Sequence, residues 1–299
     1  MTNLRTAPLR VGACLSISGQ YARFGKQAAR ALEVWADWHG AVELVIEDDE
    51  SSRRTLHTVL PSVAARSDVL LGPYSTQLAR AAAQLATQEG WLLWNQGGSG
   101  DDVETDYPGH CVSILSPTSR YGDPFLRHLA DADAAGSELW IVRATGSFGR
   151  QVAEGAQSMA ADLRIGTRVV TAEQFESVQP SAPWNLLSVG RFEDDIATVR
   201  RAHSLSTPPS TICTVAAGVR EFADHLEDPE GIYGIAQWFP GNPMPPMLGP
   251  AEADFLRAYG AQGTSMPDYP AVQAVAGAVI AEHCVAQAGG TARDALPPP

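Results

Sequence analysis

Three times in its first hundred residues the chain runs an apolar strand pattern into a small polar turn that opens a helix pattern: LRVGACLSISGQYARFG from Leu9, DVLLGPYSTQLA from Asp68 and WLLWNQGGSGDD from Trp91. Few folds accommodate that repeat. In a parallel α/β sheet such turns gather at the carboxyl ends of the strands, where helix N-termini present unbonded N–H groups and a partial positive charge to whatever occupies the crevice. The arrangement is that of a binding cleft.

The alternation continues along the chain. Helices are expected over residues 25–38, 51–65 (capped by Ser51) and 76–88, and strands over 42–46, 69–71 and 91–94, the first of these strands ending in Glu47-Asp48-Asp49. A strand at 111–115 leads into a helix at 120–132. The rhythm then restarts with strand 138–142, the turn Ala144-Thr145-Gly146-Ser147-Phe148-Gly149 and helix 150–163. Strands at 167–175, 185–189, 211–215 and 232–236 and helices at 193–205 and 219–226 complete a second α/β lobe. Residues 237–250, rich in Pro and Gly, read as an irregular crossing. Two helices, 251–259 and 270–287, close the chain, and helices without strands need an existing sheet to cover. The expected division is therefore a first lobe of residues 1–118 plus 241–299 and a second of 119–240, hinged near 116–119 and 237–241.

At 299 residues the chain exceeds what one hydrophobic core usually supports, which favours two lobes. Acidic residues outnumber basic ones 34 to 21, so the mean field repels polyanions and excludes nucleic acid as a natural partner. Cys14, Cys111, Cys213 and Cys284 show no metal-ligand or redox spacing, and the first three sit in apolar strand patterns as small hydrophobes. The start MTNLRTAPLR has no apolar signal region, and the longest apolar run, residues 274–281, is far short of about 20 residues that span a bilayer. The expectation is a soluble chain without a membrane span. It would be extracytoplasmic, periplasmic or at the cell surface, if an export signal has been removed, and cytoplasmic if this N-terminus is native.

Enzyme signatures fail one by one. Gly97-Gly98-Ser99-Gly100-Asp101 misses the last glycine of a nucleophile elbow, and the seven histidines have no evident Ser or Cys partner. The turn Ser16-Ile17-Ser18-Gly19-Gln20-Tyr21 is not a dinucleotide fingerprint, and Gly25-Lys26 is followed by Gln27, which excludes a phosphate loop. The cluster Glu47-Asp48-Asp49-Glu50 reads as a solvated strand end, with a metal or phosphoacceptor pocket as the alternative. No catalytic residue, metal or cofactor is expected.

The ordered set LSISGQYARFG, EDDESS, GPYSTQLARAAAQLATQEG, NQGGSGDD, a Ser-Arg-Tyr turn, TGSFGR and GIAQWFPG resembles the type I periplasmic binding proteins of the branched-chain amino acid and amide ABC importers. The resemblance covers about residues 9–288. It implies two Rossmann-like α/β lobes with parallel sheets joined by a hinge, and capture of one small molecule between them by hinge closure. It also implies a further C-terminal stretch crossing back to the second lobe, where this chain ends in Ala295-Leu296-Pro297-Pro298-Pro299.

The family's first-lobe site falls on Tyr74-Ser75-Thr76 and Gly97-Gly98-Ser99. The Ser75 and Ser99 hydroxyls and nearby helix-start N–H groups can donate to a carboxylate or amide oxygen, and the glycines allow close approach. Ser75 as a helix cap and the glycines as turn formers are the plainer alternatives. Tyr21 and Tyr121 match aromatic positions lining the cleft, while Phe148, Gln237 and Trp238 supply the second lobe's wall. Where amino-acid binders meet the ligand's ammonium with a carboxylate, this chain offers neutral Gln237, with Glu221 and Asp123 as nearby acids. An amino acid, an amide and a small aromatic acid stay open as ligands, with an ABC permease as the partner. An intracellular ligand sensor on the same fold, or an α/β enzyme with an unread site, are the alternatives.

Overall fold

A computed structural model describes residues 7–132, 137–181, 183–241, 244–261 and 266–290. The chain divides into two compact units, one of Met1–Leu115 with Trp238–Pro299 and one of Ser116–Gln237.

Unit 1 is built on strands β1 (Leu9–Leu15), β2 (Val42–Asp48), β3 (Val69–Leu71), β4 (Leu93–Asn95) and β5 (Cys111–Ser113) in the order β2-β1-β3-β4-β5, every pair parallel. Helices α1 (Ala22–His39), α9 (Glu252–Ala261) and α10 (Tyr269–Ala288) cover one face, sharing a core with Val11, Ala13 and Leu71. On the other face α2 (Arg53–Ala65) and α3 (Thr76–Glu89) pack against Cys14, Leu70 and Leu93. The short helix α4 (Asp102–Thr105) joins β4 to β5. Strands buried on both faces are why these segments read as near-continuous apolar runs.

Unit 2 repeats the plan. Strands β6 (Glu138–Arg143), β7 (Thr167–Thr171), β8 (Trp184–Val189), β9 (Ile212–Thr214) and β10 (Ile232–Gly234) lie in the order β7-β6-β8-β9-β10, again all parallel. Helices α5 (Asp123–Asp131) and α6 (Ser147–Asp162) pack on the face bearing Leu139, Ile141 and Leu187. Helices α7 (Ala172–Glu176) and α8 (Phe192–Ser204) pack on the face bearing Trp140, Val142 and Leu186. Each order reverses direction once, beside β1 and β3 in unit 1 and beside β6 and β8 in unit 2. In open α/β sheets that reversal marks where ligands bind.

Four expectations shift. Helix α2 is capped by Ser52, whose side chain accepts from Thr55 N–H, while Ser51 stands outside the helix at φ 56°. The strand expected over 167–175 ends at Thr171, which closes a capping box with Gln174 and turns the chain into α7. The helix expected over 219–226 is a 3-10 turn, Arg220–His225. Finally, α10 is, among the described residues, the one helix long and apolar enough to cross a membrane by length and composition. Ala271, Ala274, Ala278 and Ala281 bury it in the core shared with α1, as a packed element of unit 1.

Candidate functional site

In unit 1 the turns after β1, β3 and β4 meet at the carboxyl end of the sheet. Ser75 caps α3, its side chain accepting from Leu78 N–H at 3.4 Å, and its own N–H donates to Gly97 O at 2.9 Å. Ser75 also holds φ 83° and ψ 144°, a region side chains rarely enter and one that costs about 1–3 kcal/mol. The two glycines serve packing. A Cβ at Gly97 would stand 2.7 Å from Pro73 O, and one at Gly98 would overlap the Ala79 methyl. Their N–H groups are also engaged, since both donate to Asn95 Oδ1, at 3.3 and 2.9 Å, while Asn95 Nδ2 donates to Gly98 O at 2.6 Å. Ser99 follows, buried, and Gly100 N–H donates to Thr76 Oγ1 at 3.1 Å.

Aromatic rings border these turns. Tyr74 stacks on Phe24 with centroids 4.3 Å apart, and Tyr21 lies 6.0 Å from Tyr74. The Tyr74 hydroxyl bonds that of Tyr269 at 2.5 Å, which ties the β3 turn to the start of α10. Trp238, on unit 1, donates its indole N–H to Glu252 Oε2 at 3.3 Å, and Glu252 Oε1 accepts from Gly241 N–H.

Unit 2 brings Tyr121, Phe148 and Gln237 together. Tyr121 and Phe148 meet edge to face at 5.7 Å. Gln237 Nε2 donates to the Tyr121 hydroxyl at 2.6 Å, and its Oε1 accepts from Ser116 N–H at 2.9 Å, so this amide ties the first residue of the unit to its last.

The turns after β8 and β9 are organised by a residue the sequence reading passed over. Asp195 is fully buried and accepts from Ser188 Oγ (2.7 Å), Gly190 N (2.7 Å), Thr214 Oγ1 (2.8 Å) and Ala216 N (3.0 Å). Burial pushes its carboxyl up to about 6 against the pull of those four donors. In the run Glu193-Asp194-Asp195 it looks like any first-turn acid, and nothing local distinguishes it. The acidic cluster of unit 1 resolves similarly. Asp48 accepts from Ile17, Ser18 and Glu50 N–H and from the Ser18 hydroxyl, and Asp49 from the Ser16 hydroxyl and Ser51 N–H. Among the described residues no group of His, Cys, Asp and Glu is arranged to hold a metal. Cys14 and Cys111 are buried thiols pushed up to about 12, chiefly by desolvation, and Cys213 is raised for the same reason.

Residues 8–297 match the sequence model of a family described as periplasmic binding protein. No curated protein sequence matches the chain. Among solved structures it is similar to a leucine-binding protein from Thermotoga maritima, at 12% identity and TM-score 0.77 over 96% of this chain and 85% of that one. It is also similar to the substrate-binding protein of a branched-chain amino acid transporter from Streptococcus pneumoniae in complex with isoleucine, at 14% identity and TM-score 0.76 over 96% and 86%. A third is a solute-binding protein of an ABC transporter from Rhodopseudomonas palustris in complex with 3,4-dihydroxybenzoic acid, at 15% identity and TM-score 0.68 over 96% and 83%.

Proposed function

The chain belongs to the periplasmic binding protein family, and on that premise we propose that it captures one small polar solute, an amino acid or a related amide or acid, by closing its two units on it for ABC-type uptake. The observation that carries the reading is the family match along nearly the whole chain, on a fold that presents the same strand order twice. In unit 1 the Ser75 and Ser99 hydroxyls donate to an oxygen of the solute, the backbone around Gly97 and Gly98 forms the floor, and Tyr21 and Tyr74 flank it. In unit 2 Tyr121 and Phe148 supply an apolar wall. Gln237, with both amide ends engaged, positions Tyr121, and Trp238 contributes a ring surface.

Solute contacts to both units favour the closed state, and the affinity follows from that difference between states. Nothing covalent is required. The loaded form then docks on a membrane permease outside the cytoplasm.

Thermal unfolding against a panel of leucine, isoleucine, small amides and 3,4-dihydroxybenzoate tests the reading. A true ligand at a hundred times its Kd adds about 2.7 kcal/mol, a rise of about 4 °C in Tm for a chain of this size, and is recovered unchanged. If no solute of any of these classes raises Tm, the chain is not a binder of this kind.

A further inference from the structure

Three acids of unit 2 that could meet an ammonium group are engaged elsewhere. Asp123 is held by Arg120 at 2.5 Å, Asp194 is gripped by Arg191 at 2.9 Å and Asp195 is sealed beneath its four donors, while Glu221 is exposed, 3.7 Å from His225 Nε2. One cation shows the opposite pattern. Arg143 is the last residue of β6, the strand beside which the sheet order reverses, and it is half-buried. Its hydrogen bond is from Nη1 to the carbonyl of neighbouring Ala144, at 3.1 Å, and among the described residues no carboxylate pairs with it. Most other arginines of this acidic chain that are tied down meet a carboxylate, among them Arg10, Arg66, Arg80 and Arg168.

The surroundings match an anion with an apolar body. Strand alternation sets Arg143 on the face that carries Leu139 and Ile141, which pack in one core with Tyr121 and Phe148. The next helix, α6, begins four residues later with Gly146 at its N-cap and no side-chain cap, unlike α3 with its Ser75. Its first turn is pressed onto the strand ends, since a Cβ at Gly149 would stand 2.9 Å from both Ala144 O and Val189 O. A guanidinium offers five donors in a rigid fork that matches a carboxylate, and among the described residues one of Arg143's is bonded, to Ala144 O.

We propose that Arg143 is the charge-recognising residue of unit 2, and that the solute it selects is a small carboxylic acid without an ammonium group, its body laid against Tyr121 and Phe148. The proposal rests on the solute-binding reading and narrows it to one chemical class.

Calorimetric titration with matched pairs decides it: benzoate against benzamide, hexanoate against hexanamide, and leucine as the zwitterion. The expected result is binding of at least one acid, about 10-fold or more tighter than its amide and than leucine. Arg143→Gln then weakens that acid about 30-fold or more, leaves the amide unchanged and abolishes the preference. Arg143→Lys restores part of it, and Arg150→Gln, on the exposed side of α6, changes nothing. Equal binding of acid and amide by the native chain overturns the proposal while the solute-binding reading stands, as does tighter binding of leucine. So does an Arg143→Gln variant that keeps its acid preference. Should Arg143→Gln fail to fold, the native acid-to-amide ratio and Arg143→Lys decide alone. If no member of this panel or the broader one binds, the solute-binding reading fails and takes this proposal with it.

Discussion

In unit 1 the turns after β3 and β4 are closed by main chain packed on main chain, with Gly97 and Gly98 set against Pro73, Tyr74 and Ala79 and their N–H groups turned into Asn95. In unit 2 the turns after β8 and β9 are closed by one side chain, Asp195, which gathers two hydroxyls and two backbone N–H groups from both. The same strand order thus ends in two kinds of lock. The first spreads its stability over many contacts and commits the N–H groups of Ser75, Gly97, Gly98 and Gly100 within the turns. The second concentrates it in one buried carboxylate and leaves Arg143 and the first turn of α6 with capacity for a ligand.

Removing the concentrated lock has the largest expected effect. Asp195→Ala strips an acceptor from four buried or half-buried donors at once, orphaning Ser188 Oγ, Gly190 N–H and Thr214 Oγ1 while Ala216 N–H keeps its bond to Thr214 Oγ1, and each orphaned group costs about 1–3 kcal/mol. The loss should be at least about 3 kcal/mol by denaturant unfolding, against about 1–3 kcal/mol for Asp49→Ala, which orphans the Ser16 hydroxyl and Ser51 N–H. Equal losses for the two variants would break the contrast between the units.

The pH dependence sharpens the same contrast. Because the Asp195 carboxyl rises from 3.8 to about 6 on folding, the native state holds more protons than the unfolded one between those values. Its contribution is therefore fully present below about pH 4, is lost as pH rises through 6, and amounts to about 3 kcal/mol. Asp194, which Arg191 holds below the usual range, works the other way and loses its contribution as pH falls. Unfolding free energies of native chain and Asp195→Asn between pH 4 and 7 separate them: the variant should lack the downward slope. An unchanged slope would show that the carboxyl titrates elsewhere.

How much of this can be read from the sequence depends on how far apart the partners lie. The order of strands and helices is legible because each element carries its own periodicity, and the three turns of unit 1 are legible because Gly and Ser mark them. Asp195 is not, since its importance comes from Ser188 on one strand and Thr214 on another. Gln237 is opaque for the same reason: its bonds to Ser116 and Tyr121 span more than a hundred residues. Errors at element ends have local causes. At Ser51 and Ser52 two equivalent caps stand side by side, and only backbone conformation chooses between them. After Val170 the β-branched run continues into a capping box, which outweighs strand propensity. Arg143 falls just past the strand expected over 138–142, and its lack of a carboxylate partner among the described residues is visible only in three dimensions.

Ser75 offers the smallest effect in energy and a sharp test of what unit 1's lock is for. A positive φ at a residue with a Cβ is retained only where something over-determines it. Ser75→Gly removes the side-chain cap, which costs a few tenths of a kcal/mol, and relieves strain worth about 1–3 kcal/mol. Glycine's extra freedom in the unfolded chain takes back about 0.5–1 kcal/mol, so the variant should be more stable by up to about 2 kcal/mol in denaturant unfolding. If the hydroxyl also touches the solute, the same variant binds that solute more weakly, while Ser75→Ala is weakened in both respects because it keeps the strain and loses the cap. A stability gain with unchanged affinity would mean that Ser75 only caps α3, and that unit 1 recognises its solute through Ser99 and the rings of Tyr21 and Tyr74.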